Sequence, residues 1–157
     1  MHPPCRWTGH LLTLGLDLPP APAPSARYLP AAQTGGLVFT AGHPPVVAGV
    51  PTVTGLVGAR VSTGQAAAAA RLCALNALAA VTTVAPLDRI NRIVKVTGFV
   101  ASAPAFHDQD TVLDAASELL HDIFGNAGRH ARSAIATTWL PFDAQVEIEL
   151  IVALGPL

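Results

Sequence analysis

The C-terminal stretch GRHARSAIATTWLPFDAQVEIELIVAL, Gly128–Leu154, decides the fold. From Ala134 to Leu140 apolar and small residues alternate as in a half-buried strand. A break at Leu140–Pro141 follows, and Ala144–Leu154 alternates again, with Val146, Ile148, Leu150 and Val152 on one face. Glu147 and Glu149 take the other face, but Ile151 and Ala153 continue it, so both faces call for apolar surroundings. That pattern points to subunit contacts. The first of these strands is entered through Arg129, His130 and Arg132, in a chain of which only 12% is charged. A guanidinium placed there asks for an anion.

The rest of the chain supplies one more strand pattern upstream, two helices and a strand between them. Asp17–Ala32 holds five prolines and is expected to run extended over the surface, delivering Tyr28 to whatever it packs against. Leu37–Ala41 has the shape of a strand ended by Gly42, and His43 with two prolines forbids continuation. VVAGVPTVTGLVG is hairpin and loop material. From Ser62 the character changes to STGQAAAAARLCALNALAAVTTV, with a capping serine or threonine, Gln65 in the first turn and a run of strong helix formers. Ala69, Leu72, Cys73, Asn76 and Ala80 fall at helical spacing, and Pro86 stops the pattern. Ile93–Val100 reads as a strand. PAFHDQDTVLDAASELLHDIFGNAG reads as a second helix, with Asp108, Asp110 and Asp114 in its first turns and Gly125 or Gly128 as its end. The order β(β)–α–β–α–β–β predicts an α+β fold: a mostly antiparallel sheet with two helices on one face.

Length and composition set further bounds. The 157 residues suit one domain with a real core, and 51% hydrophobic content excludes global disorder. We divide the chain into an N-terminal extension, 1–16, and a single domain, 17–157. HLLTLGL, His10–Leu16, is too short and too interrupted for an export signal and is expected to form a short strand or arm. No run of about 18 apolar residues predicts a membrane span, so the cytoplasm is the default compartment. The net charge is −1, with one lysine, Lys95, and eight scattered arginines, and aromatics make up 5%. A nucleic-acid partner is therefore not expected. Cys5 and Cys73 lie far apart, and Cys73 reads as a small core residue.

Most known motifs fail. Neither a dinucleotide nor a triphosphate glycine loop is present, nor a GxSxG elbow. The six histidines show no zinc-ligand spacing, so no metal is expected. What remains is a polar set at strand ends: Tyr28, Gly42–His43, Arg129–His130–Arg132 and Glu147.

These residues carry a resemblance. ARSAIATTWLPFDAQVEIELIVA is similar to the C-terminal signature of the RidA (YjgF/YER057c/UK114) family: Arg-Ser entering a strand, a Leu-Pro turn, and a closing V-E-I-E strand fifteen residues on from the arginine. Tyr28 followed by GGLVFTAG is similar to that family's first strand and its glycine, and the match runs from about Leu16 to Leu154. The resemblance implies a fold like the bacterial chorismate mutase subunit and a homotrimer with a central barrel and a ligand cleft at each subunit interface. It also implies hydrolysis of reactive enamines and imines to 2-oxo acids and ammonia, with no metal or organic cofactor.

By the same resemblance Arg132 binds the substrate carboxylate, for which a planar, permanently charged fork is suited, and Glu147 orients water and assists proton transfer. Gly42 and Ala134 contribute backbone groups, His43 joins the substrate-binding set, and Tyr28 closes the cleft. Each has a plainer reading: an ion pair at a strand end for Arg132, a solvated strand residue paired with it for Glu147, a packing anchor for Tyr28. The chain departs from the family pattern at His43, where glutamine is common, at His130, where proline often stands, and near Asp114 or Leu113, where many members carry asparagine. His43, His130 and Arg129 either add acid-base capacity and alter substrate choice or are surface residues. Two alternatives stand beside the deaminase: a regulatory module binding a small carboxylate on the same trimer, and a pathway-specific enzyme for a larger imine. The family's endoribonuclease label ranks last.

Overall fold

The computed structural model describes residues 6–25 and 27–156. Helices α1 (Arg6–Thr13), α2 (Thr63–Val81) and α3 (Gln109–Phe124) pack with strands β1 (Ala31–Thr34), β2 (Leu37–Thr40), β3 (Val46–Val47), β4 (Val50–Pro51), β5 (Ile90–Ala101), β6 (Ala131–Thr137) and β7 (Val146–Leu154). The main sheet runs β1-β2-β7-β5-β6, and β3 with β4 forms a separate hairpin. Every pairing in the main sheet is antiparallel except β5 with β6, which α3 connects as a crossover. The α+β expectation holds.

The alternation read from the C-terminal strand is realised. Val146, Ile148, Leu150 and Val152 are buried with Val96 and Val100 of β5 and Val38 of β2, beneath α2 and α3. The close approach of α3 to the sheet depends on Gly98, because a Cβ there would collide with the Leu113 side chain. Ser62 caps α2 as expected: its Oγ accepts from the Gln65 N–H at 3.1 Å, and Gln65 Oε1 accepts from the Ser62 N–H at 2.9 Å. Although α2 is long and apolar enough to cross a membrane, most of it is buried within the protein. Cys73 sits fully buried on this helix, its thiol against the Val146 carbonyl and pushed up in pKa by burial.

The opposite face is open. Leu37 and Phe39 pair with Ala153 and Ile151, and Phe99, Thr97 and Lys95 pair with Glu147, Glu149 and Ile151. Leu37, Phe39 and Ile135 are each about 40% exposed on that face (37%, 40% and 41%). A sheet face this apolar is what the mixed pattern of Glu147, Glu149, Ile151 and Ala153 predicted.

Two expectations need correction. Arg6–Thr13 is a helix, not a strand or arm. Trp7 and Leu11, one helical turn apart, both enter the core, and the Trp7 ring meets Phe124 edge-on with centroids 5.0 Å apart. Asp88 supplies the missing cap, its Oδ1 accepting from the Trp7 and Thr8 N–H groups at 2.6 and 2.9 Å. A cap contributed from some eighty residues away leaves no local signal. Residues 1–5, with Cys5, lie outside the described residues. The second correction is β1, which pairs with β2 as a hairpin turned at Gly35 (φ +54), where the sequence reading has only extended chain.

Candidate functional site

The sheet sorts the expected site residues by face. Gly42 and Glu147 meet on the open face, where a Cβ at position 42 would collide with the Glu147 carboxylate. Glycine is thus required to let the carboxyl lie flat against the backbone. Burial raises the pKa of that carboxyl, and the Glu149 charge pushes it the same way. Glu147 therefore moves toward the range in which a carboxyl exchanges protons.

Arg132 lies elsewhere. Its Cα pairs with Val96, and Val96 pairs with Leu150, so all three side chains share the helix-covered face. Glu147, three residues before Leu150 on β7, points to the other face. Strand β5 stands between them. One protomer does not bring the two together. Ala134 follows Arg132 on the edge strand, opposite Gly98.

Helix α3 presents Asp110, Asp114 and Ser117 to Arg132, at the i, i+4, i+7 spacing of one helix face. The guanidinium Nη1 lies 2.9 Å from Asp114 Oδ1 and donates to Ser117 Oγ at 3.0 Å, while Nη2 reaches Asp110 Oδ1 at 3.3 Å. The Arg132 side chain is only 20% exposed, whereas those of Asp110 and Asp114 are 81% and 58% exposed. Ion pairs to such exposed carboxylates are worth about 0–1 kcal/mol, so an incoming carboxylate can displace them.

His130 continues this network. Its Nδ1 lies 2.6 Å from the Gly128 carbonyl and must donate to it, which leaves Nε2 as an acceptor for the Ser117 hydroxyl at 2.9 Å. Proton donation runs from Arg132 to Ser117 to His130 to Gly128. Burial lowers the His130 pKa and the Arg132 charge adds to the effect, against the opposing pull of the Gly128 carbonyl. A cleft of about 680 Å³ opens beside this chain, lined by Ser117, His121, Arg129, His130 and Arg132 among others.

The other two residues stand apart. His43 is buried, donates from Nε2 to the Pro30 carbonyl at 3.2 Å, and is bridged to Ile148 on the helix side of the sheet. Tyr28 is 60% exposed on the proline-rich segment. Sequence reasoning missed Ser117 as a partner of Arg132. The only available signal was its spacing from Asp110 and Asp114, and that spacing acquires meaning only once β6 is known to lie beside α3. Among the described residues no group of three or more His, Cys, Asp or Glu side chains converges as a metal site does.

A five-stranded sheet covered by two helices on one face, with an arginine on the edge strand and a glutamate on the closing strand, defines a chorismate-mutase-like α+β protein. Over residues 8–154 the sequence matches the family described as "YjgF/chorismate mutase-like, putative endoribonuclease", and the chain belongs to that family. It is 37% identical to Protein TCP17 of Trypanosoma cruzi over 152 residues, 96% of this chain and 95% of that protein. The crystal structure of Atu1372 from Agrobacterium tumefaciens, described as of unknown function, superposes with a TM-score of 0.87 at 42% identity, covering 95% of this chain and 92% of that one. Escherichia coli TdcF, solved with bound serine, shares the fold at a TM-score of 0.61 and 24% identity, over 87% of this chain and 93% of that one.

Proposed function

We propose that the protein hydrolyses small 2-imino acids and their enamine tautomers to 2-oxo acids and ammonia, in a cleft completed between the protomers of a homotrimer. The observation that carries this reading is the opposed placement of Arg132 and Glu147. Arg132 is held by side chains of α3 and Glu147 lies against Gly42, yet β5 separates them within one chain. The apolar open face gives the reason to assemble: burying Leu37, Phe39 and Ile135 against another copy removes hydrophobic surface from water and covers Glu147.

In the assembled cleft the Arg132 fork takes the substrate carboxylate in place of the exposed Asp110 and Asp114. Glu147 accepts a proton from a water that attacks the adjoining C=N carbon, then returns a proton to the departing nitrogen. Water adds across the C=N bond, the C–N bond breaks, and ammonia leaves with the 2-oxo acid. No oxidant or reductant is consumed. A single carboxyl raised by burial suits both directions of that transfer. TdcF, which shares the fold, was solved with a small amino acid bound.

The RNA-cleaving activity in the family's description finds little support in a chain of net charge −1 with one lysine. A second reading, a module that binds a small carboxylate without turnover, is favoured by the placement of Arg132 in the protomer without Glu147 beside it. The two are separated by following ammonia release from a freshly generated imine of a small amino acid. The deaminase reading expects acceleration over buffer that Arg132→Ala abolishes. Thermal stabilisation by 2-oxo acids with no acceleration across a panel of imines supports the binding module instead.

A further inference from the structure

A second cavity, of about 630 Å³, lies away from Arg132, between the proline-rich segment, the β3–β4 hairpin and α2. Leu72 and Leu75 of α2, Val46 and Val47 of the hairpin, and prolines 19, 20, 22 and 44 form its walls. Its size and apolar lining match those of small-molecule sites. Three polar side chains interrupt the lining: Asp17, and the buried Asn76 and His43, 8% and 7% exposed.

Their hydrogen bonding determines what they can offer. Asn76 Nδ2 donates to the Pro44 and Val46 carbonyls at 2.9 and 3.1 Å, which uses both amide protons. Asn76 Oδ1 has no partner among the described residues. His43 donates from Nε2 to the Pro30 carbonyl, so Nδ1 is a lone-pair acceptor, again without a partner among the described residues. Burial lowers the His43 pKa and keeps the ring neutral. Among the described residues the lining contains no Lys or Arg, and Asp17 stands on it. An anion is therefore disfavoured, which sets this cavity apart from a carboxylate site.

We propose that this cavity is a separate binding site for a neutral small molecule with an apolar body and a hydroxyl or N–H group that donates to Asn76 or His43. Both acceptors stay open to water, and a donor carried by the ligand replaces that water as their partner while its apolar body leaves solvent. The proline-rich segment supplies a wall already restricted in φ, so little chain entropy is lost when the site fills.

The probes are 2-naphthol and its donor-free analogue 2-methoxynaphthalene, titrated calorimetrically against the full chain. 2-Naphthol is expected to bind up to about tenfold more tightly, the effect of one added hydrogen bond. Leu75→Trp fills the cavity from the helix and Val47→Trp fills it from the exposed hairpin. Each is expected to abolish 2-naphthol binding while leaving the melting temperature and the rate of imine hydrolysis unchanged. The second variant keeps the test valid should the first disturb α2. Equal affinity for the two probes, no binding of either up to millimolar concentration, or undiminished binding in the folded tryptophan variants overturns the proposal. Because neither residue contacts Arg132 or Glu147 in the protomer, failure here leaves the deaminase reading standing, and the reverse also holds.

Discussion

Arg132 Nη1 stands 2.9 Å from Asp114 Oδ1, so the guanidinium assigned to a substrate carboxylate is already held by one of the chain's own. The internal carboxylate acts as a competitor. Asp114→Asn removes its charge, and KM is expected to fall severalfold with kcat nearly unchanged, the signature of a change in binding shared equally by ground and transition states. Steady-state kinetics at low and high salt check this, and the advantage of the variant shrinks as salt screens the pair.

Arg132→Ala separates function from stability. Its ion-pair partners are exposed, so unfolding free energy is expected to change by no more than about 1 kcal/mol in urea titrations. Activity is expected to fall at least about a hundredfold, because binding and orientation of the carboxylate are lost together. Arg132→Lys keeps the charge but not the bidentate fork, and recovers only part of the rate.

Glu147→Gln is expected to lower the hydrolysis rate by about 10²–10⁴, the usual worth of a general acid–base. Its stability effect has a definite sign. The raised carboxyl pKa means that the folded chain prefers the neutral acid. Wild type holds that advantage fully below the ordinary glutamate pKa of about 4.3 and loses it as pH rises through the raised value. The variant, which mimics the neutral acid, is therefore more stable than wild type at pH 7 and indistinguishable from it at acid pH. Thermal unfolding at both pH values decides.

Protonating His130 would turn its Nε2 from acceptor to donor and break the bond from Ser117. Its pKa, like that of His43, is lowered in the folded protein. Both groups therefore contribute stability above the ordinary histidine value of about 6.5 that is lost as pH falls below it. His130→Gln keeps an acceptor beside Ser117 and is expected to flatten part of this slope in unfolding curves as pH falls below the ordinary histidine value.

Trp7→Ala tests whether the N-terminal helix belongs to the fold. Trp7 is buried, stacks edge-on with Phe124 and donates from Nε1 to the Ile90 carbonyl at 2.7 Å. A loss of about 3–5 kcal/mol is expected in denaturant unfolding.

Where a period or a cap was local, the sequence was readable. The alternation of Val146 through Val152, the Ser62–Gln65 box and the proline-rich segment all appear where the residues predict them. Helix α1 was not readable, because its cap, Asp88, and its aromatic partner, Phe124, are distant in sequence. The site shows the same division. Gly42 and Glu147 follow from motif and spacing, and they do meet. The placement of Arg132 depends on the parity of strand pairing across β5, and its contacts with Asp110, Asp114 and Ser117 depend on how α3 crosses the sheet. His43 bears the signature of a site residue, yet it faces a different cavity.

On the proposed function, each cleft takes its arginine from one protomer and its glutamate from another. Arg132→Ala and Glu147→Gln chains, each inactive alone, should be unfolded together, refolded as mixed oligomers and assayed for imine hydrolysis. Random mixing gives each cleft one chance in two of an intact arginine and one in two of an intact glutamate, so about a quarter of wild-type activity should return. Activity no higher than that of either variant alone, in oligomers shown by mass to contain both chains, would contradict the account.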